Sequence, residues 1–225
     1  MKRNATEGFQ KRDYNRALRR EKILDIARRS FMEHGYSATS MSDVAAELGG
    51  SKGTLWSYFR SKSELFSAVL DEATASFQRE LKDELILSGD LDQTVRQFCQ
   101  RFCRRITSRE GLSLHRLLVS ETLRQPELGT IYYNQLFRPS EEFLAAFFDK
   151  CVKLGTLGTL GTLGTLGTLG TLGNENGRNA ARALIRICFG YLHERLLEGR
   201  VEIGTVETEA EASRVAEVFL RAFAR

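Results

Sequence analysis

Apolar residues recur along most of this chain at intervals of three or four positions, which is the spacing of one face of an α-helix. The first such stripe begins at Leu18 and ends at Gly35, and glycine commonly follows the last residue of a helix. Similar stripes predict six further long helices, at about 62–77, 91–108, 112–124, 127–153, 176–197 and 206–224. No segment shows the sustained apolar–polar alternation of a half-buried strand, so the pattern predicts an all-α protein.

Two short helices are predicted between the first and second long ones. Ser40, followed three residues later by Asp43, resembles a capping box, and Gly49-Gly50 supplies a tight turn. Ser51 is a natural N-cap for the second short helix, which carries Leu55, Trp56, Tyr58 and Phe59. Two short helices around a glycine turn, with a longer helix on each side, are typical of a helix-turn-helix domain. The second helix of such a domain enters the major groove of DNA.

The polar residues of this segment are candidates for DNA contact. Lys52 offers a charge to phosphate or guanine, Gly53 permits close approach of the backbone, and Thr54 offers a methyl group to thymine. Trp56 and Tyr58 have polar tips that can reach phosphate oxygens. The full predicted set is Thr39, Ser40, Ser51, Lys52, Gly53, Thr54, Trp56, Tyr58 and Lys62, while Leu55 and Phe59 are expected in the core.

The distribution of charge agrees with a polyanionic partner for the N-terminal part. Residues 1–63 carry thirteen Lys and Arg against seven Asp and Glu, a balance of +6. The remaining residues carry twenty against twenty-two, a balance of −2. A basic face that is merely solvated would give the same count, so charge alone leaves both interpretations open.

The same segment resembles the tetracycline-repressor (TetR/AcrR) family of transcriptional regulators. The matching residues are Thr39-Ser40, Val44-Ala45, Gly49, Ser51-Lys52-Gly53-Thr54-Leu55, Trp56, Tyr58-Phe59, Lys62 and Leu65. Trp56 stands where the family commonly has Tyr, and Gly50 where an apolar residue is usual, which puts the packing of that turn in question. The resemblance covers about residues 20–70. It implies a DNA-binding head followed by a helical body that binds a ligand and forms a dimer.

We therefore expect three parts: a flexible basic arm at 1–17, a three-helix helix-turn-helix domain at 18–63, and a helical ligand-binding and dimerisation domain at 64–225. The resemblance implies a repressor that binds a near-palindromic operator as a homodimer and is released by a small apolar molecule. A helical adaptor that acts through protein partners is the alternative. An enzyme is disfavoured because no nucleophile motif, phosphate loop or metal-spaced cluster occurs, and no metal or cofactor is expected.

Residues of the body have two possible roles. The candidates for lining a ligand pocket are Phe98, Phe102, His115, Leu118, Tyr132 and Phe147, although each could equally be an ordinary core residue. The last two predicted helices are the candidates for a four-helix dimer interface. Their proposed contact residues are Leu184, Ile187, Tyr191, Val215, Val218 and Phe219.

The four cysteines, Cys99, Cys103, Cys151 and Cys188, form no C-x-x-C pair. Cys99 and Cys103 share a helix face, and with His115 they could bind a metal or sense oxidants; buried structural thiols are the other interpretation. The chain shows no signal-peptide pattern and no apolar run of about 18 residues. A cytoplasmic protein without a membrane span is expected.

Residues 154–173 contain six consecutive Gly-Thr-Leu units after Leu154. A glycine at every third position makes a stable helix unlikely, because each costs about 1 kcal/mol relative to alanine. A three-residue period also places successive leucines on opposite faces of a strand. We expect a loop that arose by repeat expansion. Whether it is neutral or impairs regulation stays open at this point.

Overall fold

The computed structural model describes residues 3–49, 52–88, 90–154, 176–200 and 202–223. Its α-helices are α1 (Arg3–His34), α2 (Met41–Glu47), α3 (Lys52–Trp56), α4 (Lys62–Ser88), α5 (Leu91–Ile106), α6 (Arg109–Glu121), α7 (Pro126–Tyr132), α8 (Arg138–Lys153), α9 (Asn176–Leu197) and α10 (Thr205–Phe223). A π-helical turn, Tyr133–Phe137, joins α7 to α8. The residues in these ranges include no strand, and the all-α prediction is confirmed.

Two elements differ from the prediction. The flexible arm is corrected, because α1 already begins at Arg3 and residues 3–17 are helical. This segment contains no proline, and eight of its fifteen residues are Arg, Ala, Lys, Gln or Glu, which are good helix formers. The single helix expected over 127–153 is divided into α7, the π-helical turn and α8. Ser51 and residues 155–173 of the repeat tract lie outside the described residues.

The chain divides into two compact units. The first comprises Met1–Ala73 with Leu117–Tyr132, and the second comprises Thr74–Arg116 with Tyr133–Arg225. The first unit therefore extends ten residues beyond the boundary at 63 that the sequence suggested, and it includes a segment from much later in the chain. No sequence signal links Leu117–Tyr132 to the N-terminal helices, because the association depends on tertiary contacts.

Short-range capping interactions define the helix ends of the first unit. Ser40 Oγ accepts a hydrogen bond from Asp43 N at 3.1 Å, and Asp43 Oδ2 accepts one from Ser40 N at 3.3 Å, so the predicted capping box is present. Gly35 (φ 88°) and Gly49 (φ 71°) adopt the left-handed conformation just after α1 and α2. Glycine adopts that conformation at little cost, so these two positions end their helices sharply.

An aromatic cluster forms the centre of the first unit. The rings of Phe31, Tyr36 and Phe66 contact one another with centroid separations of 5.2–5.6 Å. Buried aliphatic residues from α1, α2 and α4 surround them: Ile23, Leu24, Ile26, Ala27, Val44, Ala45, Leu65, Val69 and Leu70. Burial of this apolar surface stabilises the unit, since each fully buried large side chain contributes about 1.5–3 kcal/mol.

In the second unit, α5 packs against α10 and α9, and α8 packs against α9. Phe102 is fully buried, and its ring contacts those of Phe77, Phe98 and Phe189. The close approach of α8 and α9 requires glycine at Gly177, because a Cβ there would lie 2.6 Å from the carbonyl oxygen of Ala145. The backbone N–H of Gly177 also donates to Asp149 Oδ1 at 3.1 Å.

The predicted dimer contacts are corrected in large part. Leu184, Tyr191, Val215 and Phe219 are buried within the protomer itself, and the ring of Phe219 stacks on that of Phe148. A side chain that is already enclosed by its own chain has no surface for a second copy. Of the six candidates, Ile187 is half-buried and Val218 is exposed, so these two alone retain surface for a partner.

Candidate nucleic-acid interface

One buried residue within α3 and another just after it hold the short helix in place. Leu55 and Phe59 are buried, as the sequence predicts. Between them Trp56 is 49% exposed, and Gly53 is exposed as well. This arrangement presents one end of a short helix to solvent on a rigid base, which is the geometry that groove insertion requires.

The segment after α3 turns earlier than the sequence suggested. Tyr58 and Phe59 were expected in the helix, but α3 ends at Trp56. Ser57 Oγ donates to the carbonyl oxygen of Thr54 at 2.7 Å, and the N–H of Tyr58 donates to Leu55 O at 3.0 Å. These bonds form a tight turn that leaves Tyr58 half-buried beside the helix.

Arginines of α1 contact the aromatic residues of this turn. The guanidinium of Arg16 lies 5.6 Å from the ring centroid of Tyr58, and that of Arg20 lies 5.5 Å from the centroid of Phe59. Such cation–π contacts are each worth about 0.5–1 kcal/mol at exposed sites. The sequence did not predict these two contacts: Arg16 lies in residues 1–17, which were expected to form a flexible arm, and no spacing rule connects Arg20 with Phe59.

Two predicted DNA contacts have structural roles instead. Thr39 is buried, and its Oγ1 donates to Gly35 O at 2.8 Å. The ammonium of Lys62 donates to the carbonyl oxygens of Tyr36 at 2.8 Å and Thr39 at 3.0 Å, and it lies 4.4 Å from the Tyr36 ring centroid. The phosphate contact predicted for Lys62 is therefore corrected: the side chain fastens the loop between α1 and α2.

Two carboxylates from Leu117–Tyr132 hold the same loop, and we call this set of residues the α1–α2 corner. Glu121 accepts hydrogen bonds from the N–H and hydroxyl of Ser37, which lower the pKa of Glu121. Tyr36 donates its hydroxyl to Glu127 at 3.3 Å. Burial and the neighbouring Glu127 raise the pKa of Tyr36 to about 12, so the phenol remains a donor. The corner joins Tyr36, Ser37, Lys62, Glu121 and Glu127.

The other residues predicted to contact DNA differ in their exposure to solvent. Ser40 is exposed and caps α2, while Thr54 is half-buried. The backbone of Lys52 begins α3, and its side chain and all of Ser51 lie outside the described residues. The structure thus brings Gly53, Thr54, Trp56 and Tyr58 together around the short helix.

The predicted pocket residues are divided between the two units. Phe98 and Phe102 belong to the aromatic core of the second unit, and His115 approaches it through Phe189, at 5.8 Å between ring centroids. Phe147 contacts Phe148 instead. Leu118 and Tyr132 belong to the first unit.

His115 is the unusual member of this set. Both of its ring nitrogens are buried and have no hydrogen-bond partner among the described residues. Burial, with a contribution from nearby His193, lowers the pKa of His115 to about 4, so the imidazole is neutral near pH 7. A neutral imidazole has one donor and one acceptor, and both are unused here.

The cysteines fit the structural interpretation better than the sensing one. All four are buried and carry free thiols. Hydrogen bonds with Cys103 and Cys99, together with burial, raise the pKa of Cys188, which disfavours the reactive thiolate. Among the described side chains, no three His, Cys, Asp or Glu residues are placed to hold a metal ion. None of the helices in the described ranges has the length and apolar character needed to cross a membrane.

Two family models match this chain. Residues 23–69 match the model of bacterial regulatory proteins of the tetR family, and residues 93–159 match the C-terminal domain of AefR-like transcriptional repressors. The first match contains α2, α3 and the α1–α2 corner residues Tyr36, Ser37 and Lys62. It begins at residue 23, after Arg16 and Arg20.

Known relatives agree with these matches. The chain is 26% identical over 137 residues to the HTH-type transcriptional regulator YhgD of Bacillus subtilis, covering 61% of this chain and 69% of that protein. It is 32% identical over 79 residues to the HTH-type transcriptional regulator AcrR of Shigella flexneri, covering 35% and 37% respectively. The chain thus spans about two thirds of YhgD but only a little over a third of AcrR.

A solved structure supports the fold over almost the whole chain. The crystal structure of a TetR-family transcriptional regulator from Mesorhizobium loti superposes with a TM-score of 0.74 at 22% identity, covering 93% of this chain and 98% of that one. At this level of identity the likeness shows a common fold.

Proposed function

We propose that this chain, which belongs to the TetR family of bacterial DNA-binding transcriptional regulators, is a repressor released from its operator by a small molecule. Membership of the family makes it a regulator and not an enzyme. The observation that carries the proposal is the exposure of Gly53 and Trp56 on α3, a helix that buried Leu55 holds in place. Similarity of residues 93–159 to AefR-like repressors favours repression over activation.

In this proposal, some residues of α3 and its turn contact bases and others contact phosphates. Thr54 reads a base through its hydroxyl and methyl group, with Lys52 and Gly53 beside it. Trp56 and Tyr58 donate to phosphate oxygens and fix the register of the helix in the groove. Ser40 and Ser51, which precede the two short helices, complete the proposed contacts.

The test starts with selection of duplexes from a random library by the full chain. Binding to a selected duplex and to a scrambled one is then measured by fluorescence anisotropy. Thr54→Val should lower affinity for the selected duplex by about 1–3 kcal/mol and leave the scrambled duplex nearly unaffected. Thr130→Val, at an exposed threonine of α7, is the matched control and should change neither. A wild-type chain with no preference for any selected duplex would refute the proposed function.

The proposed homodimer uses the exposed faces of α9 and α10. Gly190 and Leu197 of α9 are exposed, and so are Val206 and Val218 of α10. A face shared by two helices suits a two-fold four-helix contact, in which each patch meets its own copy. Two-fold symmetry would also match a near-palindromic operator.

Gly190 offers a clean test of this interface. A Cβ at Gly190 would meet nothing within 4 Å, so a larger side chain leaves the protomer unchanged. Gly190→Glu should therefore give folded monomers in light scattering, while Ala146→Glu on an exposed position of α8 should not. A stable dimer of the Gly190→Glu variant would exclude this face.

The proposed effector is largely apolar with one hydrogen-bonding group. Support comes from the rings of Phe137 and Phe189, whose centroids lie 4.5 Å apart, and from the unpartnered nitrogens of His115 beside Phe189. Such a molecule would supply a partner for the imidazole, whose nitrogens have none among the described residues. A panel of planar aromatic alcohols and acids should include compounds that release the selected duplex. Replacement of His115 by Phe should weaken release by these compounds and leave duplex binding itself intact.

A further inference from the structure

A cleft of about 1100 Å³ lies within the first unit, beside the N-terminal half of α1. One wall is formed by Arg12, Arg16, Arg19 and Lys22 of α1. The other wall includes Gly49 at the end of α2 and Tyr58 after α3. We call this feature the α1 cleft. It adjoins the helix-turn-helix on both sides of α3.

The spacing of the four cations makes the wall a continuous positive stripe. Positions 12, 16, 19 and 22 are separated by three or four residues, so they share one face of α1. All four side chains are exposed. Within the part of the chain that the structure describes, none of them pairs with a carboxylate. Asp13 is the single acidic residue of the lining.

The stripe is held beside the recognition helix by the protein itself. Arg16 lies over the Tyr58 ring, and the neighbouring Arg20 lies over the Phe59 ring. Phe59 is buried in the core of the unit, so α1 is anchored to the segment that immediately follows α3. The cations therefore have a fixed position relative to the proposed base-reading residues.

We propose that the α1 cleft binds one phosphodiester strand of the DNA, next to the groove that α3 enters. The inference rests on the proposed function and adds a second contact surface to it. The stripe spans eleven residues of helix, a rise of about 15 Å, and phosphates of one strand recur at about 3.4 Å along the duplex axis, so several lie within its reach. The four cations precede residue 23, where the family match begins, and are thus additional to the matched domain.

The chemistry of the cleft makes this contact independent of base sequence. Arginine donates in a planar fork that suits phosphate oxygens, and the backbone phosphates carry no base information. The second wall favours a nucleic-acid strand over an acidic protein segment, because Gly49 and Tyr58 flank α3, the helix proposed to enter the groove. The recognition helix would then supply specificity while the stripe supplies affinity.

The test compares charge-removing and charge-keeping variants of the full chain on the selected and scrambled duplexes. Arg12→Gln/Arg16→Gln/Arg19→Gln should weaken binding to both duplexes by at least about tenfold near 0.15 M salt. The plot of log affinity against log salt should become shallower by about 0.9 for each phosphate that the variant no longer neutralises. The ratio of the two affinities should stay within about twofold. Arg12→Lys/Arg16→Lys/Arg19→Lys should keep most of the salt dependence, because lysine still attracts phosphate as a point charge.

A matched control removes the same charge elsewhere. Arg109→Gln/Lys150→Gln/Lys153→Gln changes three exposed cations of the second unit and should leave the salt slope unchanged. Asp13→Asn should tighten binding to both duplexes by a few-fold, since it removes the carboxylate from the cleft. Thermal unfolding of each variant verifies that the fold is retained.

The possible failures are distinguishable. If wild type prefers the selected duplex but the glutamine variant of α1 behaves like the control variant, the α1 cleft does not bind phosphate and the proposed function stands. If the glutamine variant loses preference for the selected duplex while its salt slope is unchanged, α1 acts by positioning α3, and the inference is also overturned. If wild type shows no preference at all, the proposed function itself fails.

Discussion

In the first unit, the helix ends depend on residues a few positions apart, whereas the second unit is organised by side chains that are distant in sequence. Ser40 and Asp43 cap α2, and Gly35 and Gly49 end α1 and α2, all through local contacts. In the second unit, Phe148 of α8 stacks on Phe219 of α10, 71 residues later. Local signals can be interpreted from sequence, but an apolar stripe does not reveal which surface will cover it.

The dimer prediction shows what this difference means in practice. The apolar stripes of α9 and α10 were correctly assigned to helices, yet most of their apolar residues are covered by α5 and α8 within the same protomer. Burial inside the protomer and burial against a second copy produce the same sequence pattern. Four predictions test whether local or distant contacts stabilise each unit.

The largest effect is expected at Phe219. Phe219→Ala should lower the free energy of unfolding by about 3–5 kcal/mol, because it leaves a cavity between α8 and α10. Val218→Ala, at the next and exposed position, should change the unfolding free energy of the protomer by about 0.5 kcal/mol or less. Urea denaturation of both variants at several protein concentrations measures these effects. Equal losses would contradict the assignment of Phe219 to the protomer core.

The second prediction concerns the α1–α2 corner, where a distant interaction enters the otherwise local first unit. Lys62→Met should destabilise the protein by about 1–3 kcal/mol, because carbonyl oxygens of Tyr36 and Thr39 lose a charged donor. DNA affinity should fall with an unchanged salt slope, since no phosphate contact is removed. Lys150→Met, on an exposed position of α8, is the control. A slope shallower by about 0.9, without loss of stability, would show instead that Lys62 contacts a phosphate.

The third prediction concerns the Gly-Thr-Leu tract between α8 and α9. The N–H of Gly177 bonds Asp149, so the flanking helix ends are held together whatever connects them. Deleting five units shortens the connection between Leu154 and Asn176 from 21 residues to six. By loop closure this should stabilise the protein by about 1 kcal/mol. Chemical denaturation tests the stability, and anisotropy with the selected duplex decides between a neutral tract and one that impairs regulation.

At neutral pH, the smallest effect on the free energy of unfolding is expected from protonation of His115. Its folded-state pKa of about 4 lies below the ordinary value of 6.5, so the unfolded chain binds a proton that the folded chain does not. The free energy of unfolding should therefore have its full value above pH 6.5 and fall as the pH drops toward 4. The slope of this fall should correspond to the uptake of at most one proton on unfolding. His115→Phe should remove this component, while His34→Gln, at an exposed histidine, should retain it. Parallel pH profiles for wild type and His115→Phe would contradict the burial of a neutral imidazole.

From the sequence alone we could predict the all-α class, most of the helices, the capping box at Ser40, the turn glycines and the inward positions of Leu55 and Phe59. These follow from periodicity and short-range hydrogen bonding, which involve residues within about one helical turn. The polar residues of α3 could be identified as a group for the same reason. The helical state of residues 3–17 was within reach of the same reasoning, since the segment contains good helix formers and no proline.

The tertiary structure alone decided which polar groups meet. Lys62 lies 26 residues from Tyr36 and Glu121 lies 84 residues from Ser37, so no spacing rule connects them. The same holds for the placement of Arg16 over Tyr58, which sets the charged face of α1 beside the turn that follows α3. A charge or an apolar stripe has a sequence position, but its role depends on what the fold brings within a few ångströms. That proximity arises only when the whole chain packs, so no local segment contains it.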